Sequence, residues 1–190
     1  MGRTPVTGLL VLILGMVLPA CSAVIIQHPA GEPVSNEVGK QVEGWWVAHG
    51  EKDGEVQCFL VQSLADGAIR VATLELNRNS SKPEVQELTG LLTEFEGVMY
   101  LNLASGEPEP GQSPRYFLLR MHRQDGPAMV LWRARVSAFA DAVGSGELTG
   151  ETEREEVRIT ASKAELGAYL KSHKPEHVFV IEEPMVFKRP

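Results

Sequence analysis

Short apolar runs separated by turn residues follow one another from Val42 to the end of the chain. They predict nine β-strands, at residues 42–48, 55–62, 68–77, 86–95, 98–103, 115–123, 128–135, 156–160 and 178–188. Asp-Gly pairs such as Asp66-Gly67 lie between the runs, because hairpin turns need the positive φ that glycine adopts without steric cost. The pattern favours an antiparallel meander of neighbouring strands, curled into a barrel or half-barrel.

In three of these runs, apolar side chains alternate with polar or amphipathic ones at the period of two that separates the faces of a strand. The apolar sets are Ala72, Leu74 and Leu76; Met99, Leu101 and Leu103; and Phe117, Leu119 and Met121. Alternation of this kind predicts that each apolar set faces a core and that the opposite face meets water.

Two segments depart from the strand pattern and predict short helices. Residues 137–143 have Ser137 in position to cap the N-terminus and Gly144 just beyond the end. The stretch Ser162-Lys163-Ala164-Glu165 fits a capping box, and that helix should extend to about Ser172, before Pro175. The chain is therefore predicted to be mainly β, with one or two short helices.

The N-terminus carries an export signal. Arg3 is followed by an apolar run at residues 8–18, whose helix would rise only about 16 Å and could not cross a hydrocarbon core of about 30 Å. The sequence Leu18-Pro19-Ala20-Cys21 then resembles the bacterial lipobox. That resemblance implies that residues 1–20 are removed, that Cys21 receives a diacylglycerol, and that Ser22 directs the protein to the outer membrane. The alternative is an ordinary signal with an accidental cysteine.

Residues 21–41 are predicted to form the lipidated cysteine and a tether, because two prolines and a glycine between His28 and Pro33 show no periodicity. A single β-rich domain would then occupy residues 42–190. Within it, the strongly charged residues 151–156 are predicted to form a solvated loop.

The net charge of the chain without its signal argues against two classes of binding partner. Removal of the signal leaves 17 Lys and Arg against 25 Asp and Glu, a net charge of −8. This balance argues against nucleic acid, whose phosphates require a basic surface, and against attraction to anionic lipids. Membrane attachment would therefore depend on the anchor at Cys21. The second cysteine, Cys58, would have no disulfide partner, and its apolar neighbours predict a buried, unreactive thiol.

No motif supports a catalytic residue, a metal ligand or a cofactor. His173 and His177 are four residues apart, but Pro175 breaks the helix that would place them on one face, and no nearby Cys or Asp completes a metal site. The sequence Gly144-Ser145-Gly146 does not have the spacing of a hydrolase nucleophile elbow.

One short motif remains, Val42-Glu43-Gly44-Trp45-Trp46. A Gly-x-Trp on the first strand, a run of antiparallel strands, then a helix and one last strand resembles the lipocalin and calycin barrels. The resemblance implies that Gly44 permits a tight approach at the closed end and that Trp46 packs across the base. The alternative is that one of these tryptophans is a core aromatic of an unrelated β-fold. Trp46 and Trp132 are the candidate ligand-binding residues.

We therefore expect a lipoprotein on the periplasmic face of the outer membrane that binds an apolar or amphipathic envelope ligand without catalysis. The main alternative is an interaction or assembly lipoprotein with a solid core and an envelope protein as its partner, and an envelope hydrolase is third. An enclosed apolar pocket of several hundred cubic ångströms would favour the first over the second. Convergent titratable groups would favour the third.

Overall fold

A computed structural model describes residues 23–49, 56–75, 84–104, 113–123, 127–154 and 156–190. The signal segment 1–20, the lipidation site Cys21 and Ser22 lie outside the described residues. The described part of the chain contains twelve strands: β1 Ala23–Ile26, β2 Glu32–Pro33, β3 Gly44–His49, β4 Val56–Ser63, β5 Ala68–Glu75, β6 Glu84–Phe95, β7 Val98–Ala104, β8 Tyr116–Arg123, β9 Ala128–Arg133, β10 Gly150–Glu153, β11 Glu156–Ile159 and β12 Met185–Lys188.

Eight of these strands form a closed antiparallel barrel. Strands β3 to β9 pair in chain order, and β12 closes the ring because it pairs with both β9 and β3. The predicted fold class, mainly β with a barrel, is therefore confirmed. Closure leaves no unpaired edge in this ring, and such edges are the usual liability of an antiparallel sheet.

The described segments also contain a 3-10 turn at Ala65–Gly67 and four α-helices: α1 Asn36–Val42, α2 Val136–Gly144, α3 Lys163–Ser172 and α4 Pro175–Val178. Helix α3 begins as predicted, with the Ser162 hydroxyl and the Glu165 carboxylate satisfying each other's backbone N–H groups. The predicted cap of α2 is wrong, because Arg135 takes the N-cap position and Ser137 lies inside the helix. Helix α1 falls in the segment predicted to be a tether.

The barrel wall has apolar residues on both of its faces, and each face contributes to a separate core. The inner core contains Trp46, Phe59, Leu101 and Leu119, among others. The second core lies between the outside of β7 and β8 and an outer layer, defined as residues 23–34 and 134–181. Tyr100 and Leu118 point outward into this second core. Alternation alone predicted that this face of β7 and β8 meets water, and that prediction is wrong.

The outer layer contains a small sheet that continues from the barrel. Strand β1 pairs antiparallel with the start of β8 and parallel with β11, and β11 pairs with β10. The predicted loop at 151–156 is therefore wrong, because most of it belongs to the charged hairpin of β10 and β11. Charged side chains on the edge strand β10 discourage pairing with another chain.

Residues 23–41 are part of the folded structure, which corrects their assignment to a tether. Asn102 is fully buried and accepts a hydrogen bond from the Ala30 amide at 3.1 Å. Its side-chain amide donates to Thr93 Oγ1 at 2.9 Å, and that hydroxyl donates to the Ala30 carbonyl. These bonds replace water for backbone groups of a segment that packs against the outer face of β6 and β7, and composition alone does not reveal them.

On β7 and β8 the apolar residues predicted to face a core point into the barrel, whereas on β5 they do not. Leu101 and Leu119 belong to the inner core, with their strand neighbours of the same parity. On β5 the prediction is wrong, because Val71 and Thr73 are buried inside while Leu74 lies on the outer face at intermediate exposure. Both faces of β5 carry apolar residues, so alternation could not select the inner one.

Candidate functional site

The interior of the barrel encloses an apolar cavity. Its lining comes from α1 and all eight barrel strands: Val42, Trp46, Phe59, Val61, Ile69, Val71, Thr73, Leu88, Leu92, Leu101, Leu103, Phe117, Leu119, Met121, Met129, Leu131 and Phe187. Thr73 is the one polar member of this set, and its hydroxyl donates to the Gln86 carbonyl at 3.4 Å. The lining therefore presents no free charge to an occupant, and it would be a poor site for a polar ligand.

The cavity has a volume of ≈ 70 Å³. This is smaller than the several hundred cubic ångströms that would favour ligand binding over a solid core, so the volume by itself does not favour the first alternative over the second. Engineered apolar cavities of about 150 Å³ stay dry and bind benzene, so this space is about half of one that holds a six-carbon ring, and an aliphatic chain would enter only if the lining side chains moved apart. Met121 and Met129 lie among the lining residues, and the flexible thioether side chain of methionine adapts readily to an occupant.

One end of the barrel is closed by α1 and by an arginine stacked on a tryptophan. Trp46 is 1% exposed, and its indole N–H donates to the Val42 carbonyl at 2.8 Å. The Arg189 guanidinium lies 5.0 Å from the centre of the Trp46 ring and donates to the carbonyls of Gln41 and Glu43, both at 3.0 Å. The arginine thereby ties the end of the chain to the turn that leads from α1 into β3.

Gly44 stands at the start of β3 with φ +122°, a conformation that L side chains rarely adopt. A Cβ at this position would meet nothing within 4 Å. The glycine is therefore needed for backbone conformation, and the tight approach that the family resemblance implied is absent at this residue.

The other residues singled out from the sequence lie outside the cavity. Trp132 is on the outer face of β9, with its ring 5.3 Å from the Arg120 guanidinium and 6.4 Å from the His122 ring. Trp45 also points outward and is 51% exposed. Cys58 is half-buried on the outer face of β4, so the prediction of a core cysteine is wrong.

The paired histidines lie on the surface near the end of α3. His173 contacts the Tyr169 ring, and its Nδ1 is 3.0 Å from the Tyr169 carbonyl oxygen, while His177 is exposed in α4. Among the described residues, no group of three or more His, Cys, Asp or Glu side chains is arranged to hold a metal ion.

Arg189 is the residue of this site that sequence reasoning missed. Its signal was weak, because it is one basic residue just after the last predicted strand and next to Pro190. Only closure of the barrel brings it to Trp46.

Within the described segments, no helix has both the length and the apolar character needed to cross a membrane. Comparison of the chain with protein-family models, with curated proteins and with solved structures finds no match.

Proposed function

We propose that this protein is a lipid-anchored, non-enzymatic binding protein of the cell envelope that holds a narrow aliphatic chain inside its barrel. The observation that supports this proposal is the continuous apolar lining of the cavity, in which sixteen of seventeen side chains are apolar and the remaining hydroxyl is hydrogen-bonded. An empty apolar void forfeits the dispersion contacts of its walls, and an aliphatic occupant restores them.

The closed end of the barrel supports a lipocalin-like assignment within this proposal. Trp46 is buried at this end, where the resemblance implied that it packs across the base, and Arg189 after the last strand packs on its ring. The small cavity disfavours a bulky ring system, and its lining side chains would have to move apart to admit an unbranched chain.

The proposed location follows from the lipobox-like sequence ending at Cys21. Two acyl chains or more are needed for stable anchoring of a soluble domain, and diacylglycerol on this cysteine would supply them. We place the protein at the periplasmic face of the outer membrane because Ser22 follows the cysteine.

Binding of dodecanol to the chain from Ser22 onward tests the proposal, since this part contains both cores and every barrel strand. We expect saturable binding of about one molecule per chain, a change in Trp46 emission, and a higher melting temperature, because a ligand specific for the folded state stabilises it. Leu101→Phe should fill the cavity and abolish binding. The control Leu60→Phe adds the same volume to the outer wall and should bind normally. Absence of saturable binding, or unchanged binding to Leu101→Phe, would exclude a ligand inside the barrel.

A second function, an interaction lipoprotein, is favoured by one observation. On the wall not covered by the outer layer, exposed Trp45 pairs with Leu60, and exposed Val85 pairs with Leu74. Contiguous exposed apolar residues often mark protein-binding surfaces. Trp45→Ser combined with Leu60→Ser should then eliminate cross-linking to an envelope partner and leave dodecanol binding unchanged. Equal cross-linking of the double variant would argue against this surface.

A further inference from the structure

Strand β8 changes its partner halfway along its length. From Leu119 to Arg123 it pairs with β9, whereas Tyr116 and Phe117 pair with β1 of the outer layer. Strands β8 and β9 therefore diverge at Leu118. A second pocket of ≈ 280 Å³ occupies the space between them, and we name it the wedge pocket.

The wedge pocket and the barrel cavity share part of their walls. Phe117 and Leu119 line both spaces, because they point inward from the stretch of β8 that borders the gap. Both side chains are buried. A ligand passing from one space to the other would therefore have to displace these two side chains.

The wedge pocket also carries a cation. Arg133 lies opposite Leu119 in the pairing of β8 with β9, at the end of β9. Its side chain is on the same side of the strand as those of the inward-facing residues Met129 and Leu131. Its guanidinium is 2.6 Å from the Glu183 carboxylate, with 17% of the Arg133 side chain exposed and 65% of the Glu183 side chain exposed. The arginine is thus largely held within the pocket, while the glutamate reaches in from the surface.

A second arginine at the pocket, Arg135, is already engaged. It donates to both carboxylate oxygens of Glu182, at 2.8 and 2.9 Å, and to the Phe179 carbonyl. The backbone N–H of Glu182 itself and then the Arg135 guanidinium lower the pKa of the Glu182 carboxyl. Arg133 has one carboxylate partner, the exposed Glu183, whereas Arg135 also binds a backbone carbonyl. A carboxylate ligand could therefore displace Glu183 from Arg133.

We infer that the wedge pocket is the entrance and headgroup site for a single-chain fatty acid, whose carboxylate pairs with Arg133 and whose chain passes between Phe117 and Leu119 into the barrel. The inference rests on the proposed function and specifies the ligand class and its route. The ligand carboxylate replaces that of Glu183, so Arg133 keeps an ionic partner and no charge is left buried alone.

The position of Ala23, where the described residues begin, agrees with this route. Ala23 lines the wedge pocket, and two residues of extended chain span at most about 7 Å. A lipid on Cys21 would therefore hold the membrane near the pocket, on the side from which a fatty acid would arrive.

The headgroup is tested by comparing dodecanoic acid with dodecanol at neutral pH, where the acid is ionised. The acid should bind the chain from Ser22 onward about tenfold more tightly than the alcohol, because hydrogen bonds to charged groups are the stronger ones. Arg133→Gln should remove this preference and leave the alcohol unaffected. Glu183→Gln should strengthen binding of the acid, since it removes the competing carboxylate. The control Arg70→Gln changes an exposed arginine of β5 and should preserve the preference.

Equal affinity for acid and alcohol in the unaltered protein, or an unchanged preference in Arg133→Gln, would overturn the headgroup assignment while leaving the barrel site standing. Failure of both compounds to bind would instead remove the proposed function itself. These two failures are distinguishable because the alcohol carries no charge for Arg133 to pair with.

The route is tested by kinetics. Ser137 is exposed at the wedge pocket, so Ser137→Trp should slow association and dissociation of dodecanol by the same factor and leave its Kd unchanged. The control Ser145→Trp places the same side chain beyond the other end of α2 and should leave both rates unchanged. Equal rates in the two variants would show that the ligand enters elsewhere.

Discussion

The guanidinium of Arg189 lies 5.0 Å from the centre of the Trp46 ring and bridges the carbonyls of Gln41 and Glu43. The two residues are almost the whole length of the domain apart in sequence. Their contact joins the C-terminal end of the chain to the first barrel strand, at the end of the cavity that α1 covers.

Arg189→Ala should destabilise the folded state by about 1–2 kcal/mol, because it removes a cation–π contact and two charge-assisted hydrogen bonds. Urea unfolding followed by tryptophan emission measures this loss. Arg70→Ala removes only an exposed ion pair with Glu87, so it should change stability by less than about 0.5 kcal/mol. Equal stability of the two variants would show that the stacked arginine contributes nothing to closure.

Asn102→Leu should detach the segment around Ala30 from the barrel wall. The change leaves the Ala30 amide and Thr93 without their partner, and each unsatisfied buried group costs about 1–3 kcal/mol. Hydrogen exchange at the Ala30 amide should accelerate, and urea unfolding should shift to lower concentration. Thr89→Val, at an exposed position on β6, serves as the control. Unchanged protection of Ala30 in Asn102→Leu would contradict the role given to this asparagine.

Ser162→Ala should cost about 1 kcal/mol, because it removes the side-chain acceptor of the α3 capping box. Ser137→Ala is a matched control, since that exposed serine lies inside α2 and does not cap it. Thermal or urea unfolding compares the two. Equal losses would mean that the capping bonds do not stabilise α3.

Ionisation of Tyr169 should destabilise the protein in alkali. Burial, followed by the charges of Glu147 and Asp141, raises its pKa from 10.0 to about 12. Because the folded-state pKa is the higher one, the resulting stabilisation is complete below pH 10 and is lost as the pH rises through about 12. Tyr169→Phe should flatten the fall in stability across this range. Absorbance titration would contradict the prediction if Tyr169 ionised near its ordinary pKa.

Cys21→Ser should prevent lipidation and leave the protein as an unprocessed precursor or in the soluble fraction. Membrane fractionation and incorporation of labelled palmitate measure this outcome. Cys58→Ser changes the other cysteine of the chain and should leave anchoring intact. A processed Cys21→Ser protein that still fractionated with membranes would rule out the lipoprotein assignment.

Several elements of the fold were predictable because the interactions that specify them are local. The α3 capping box joins Ser162 to Glu165 within one turn, and alternation on β7 and β8 repeats every two residues. The Asp66-Gly67 pair marked the turn between β4 and β5 for the same reason. The antiparallel, mainly β class therefore followed from short stretches read one at a time.

Tertiary structure decided what depends on distant residues. Asn102 meets Ala30 across 72 positions, and this pairing turns a Pro- and Gly-containing segment into part of the folded domain. On β5, apolar residues occur on both faces, so only closure of the barrel selected Val71 and Thr73 for the interior. Arg189 and Arg133 gained their places in the same way, because a charge has no periodic pattern that shows which wall or pocket it will face. Local sequence patterns predicted most of the barrel strands, but they missed β1, β2 and β10 and extended the last strand to 178–188 where β12 covers only Met185–Lys188. Closure of the ring determined which side chains line the cavity.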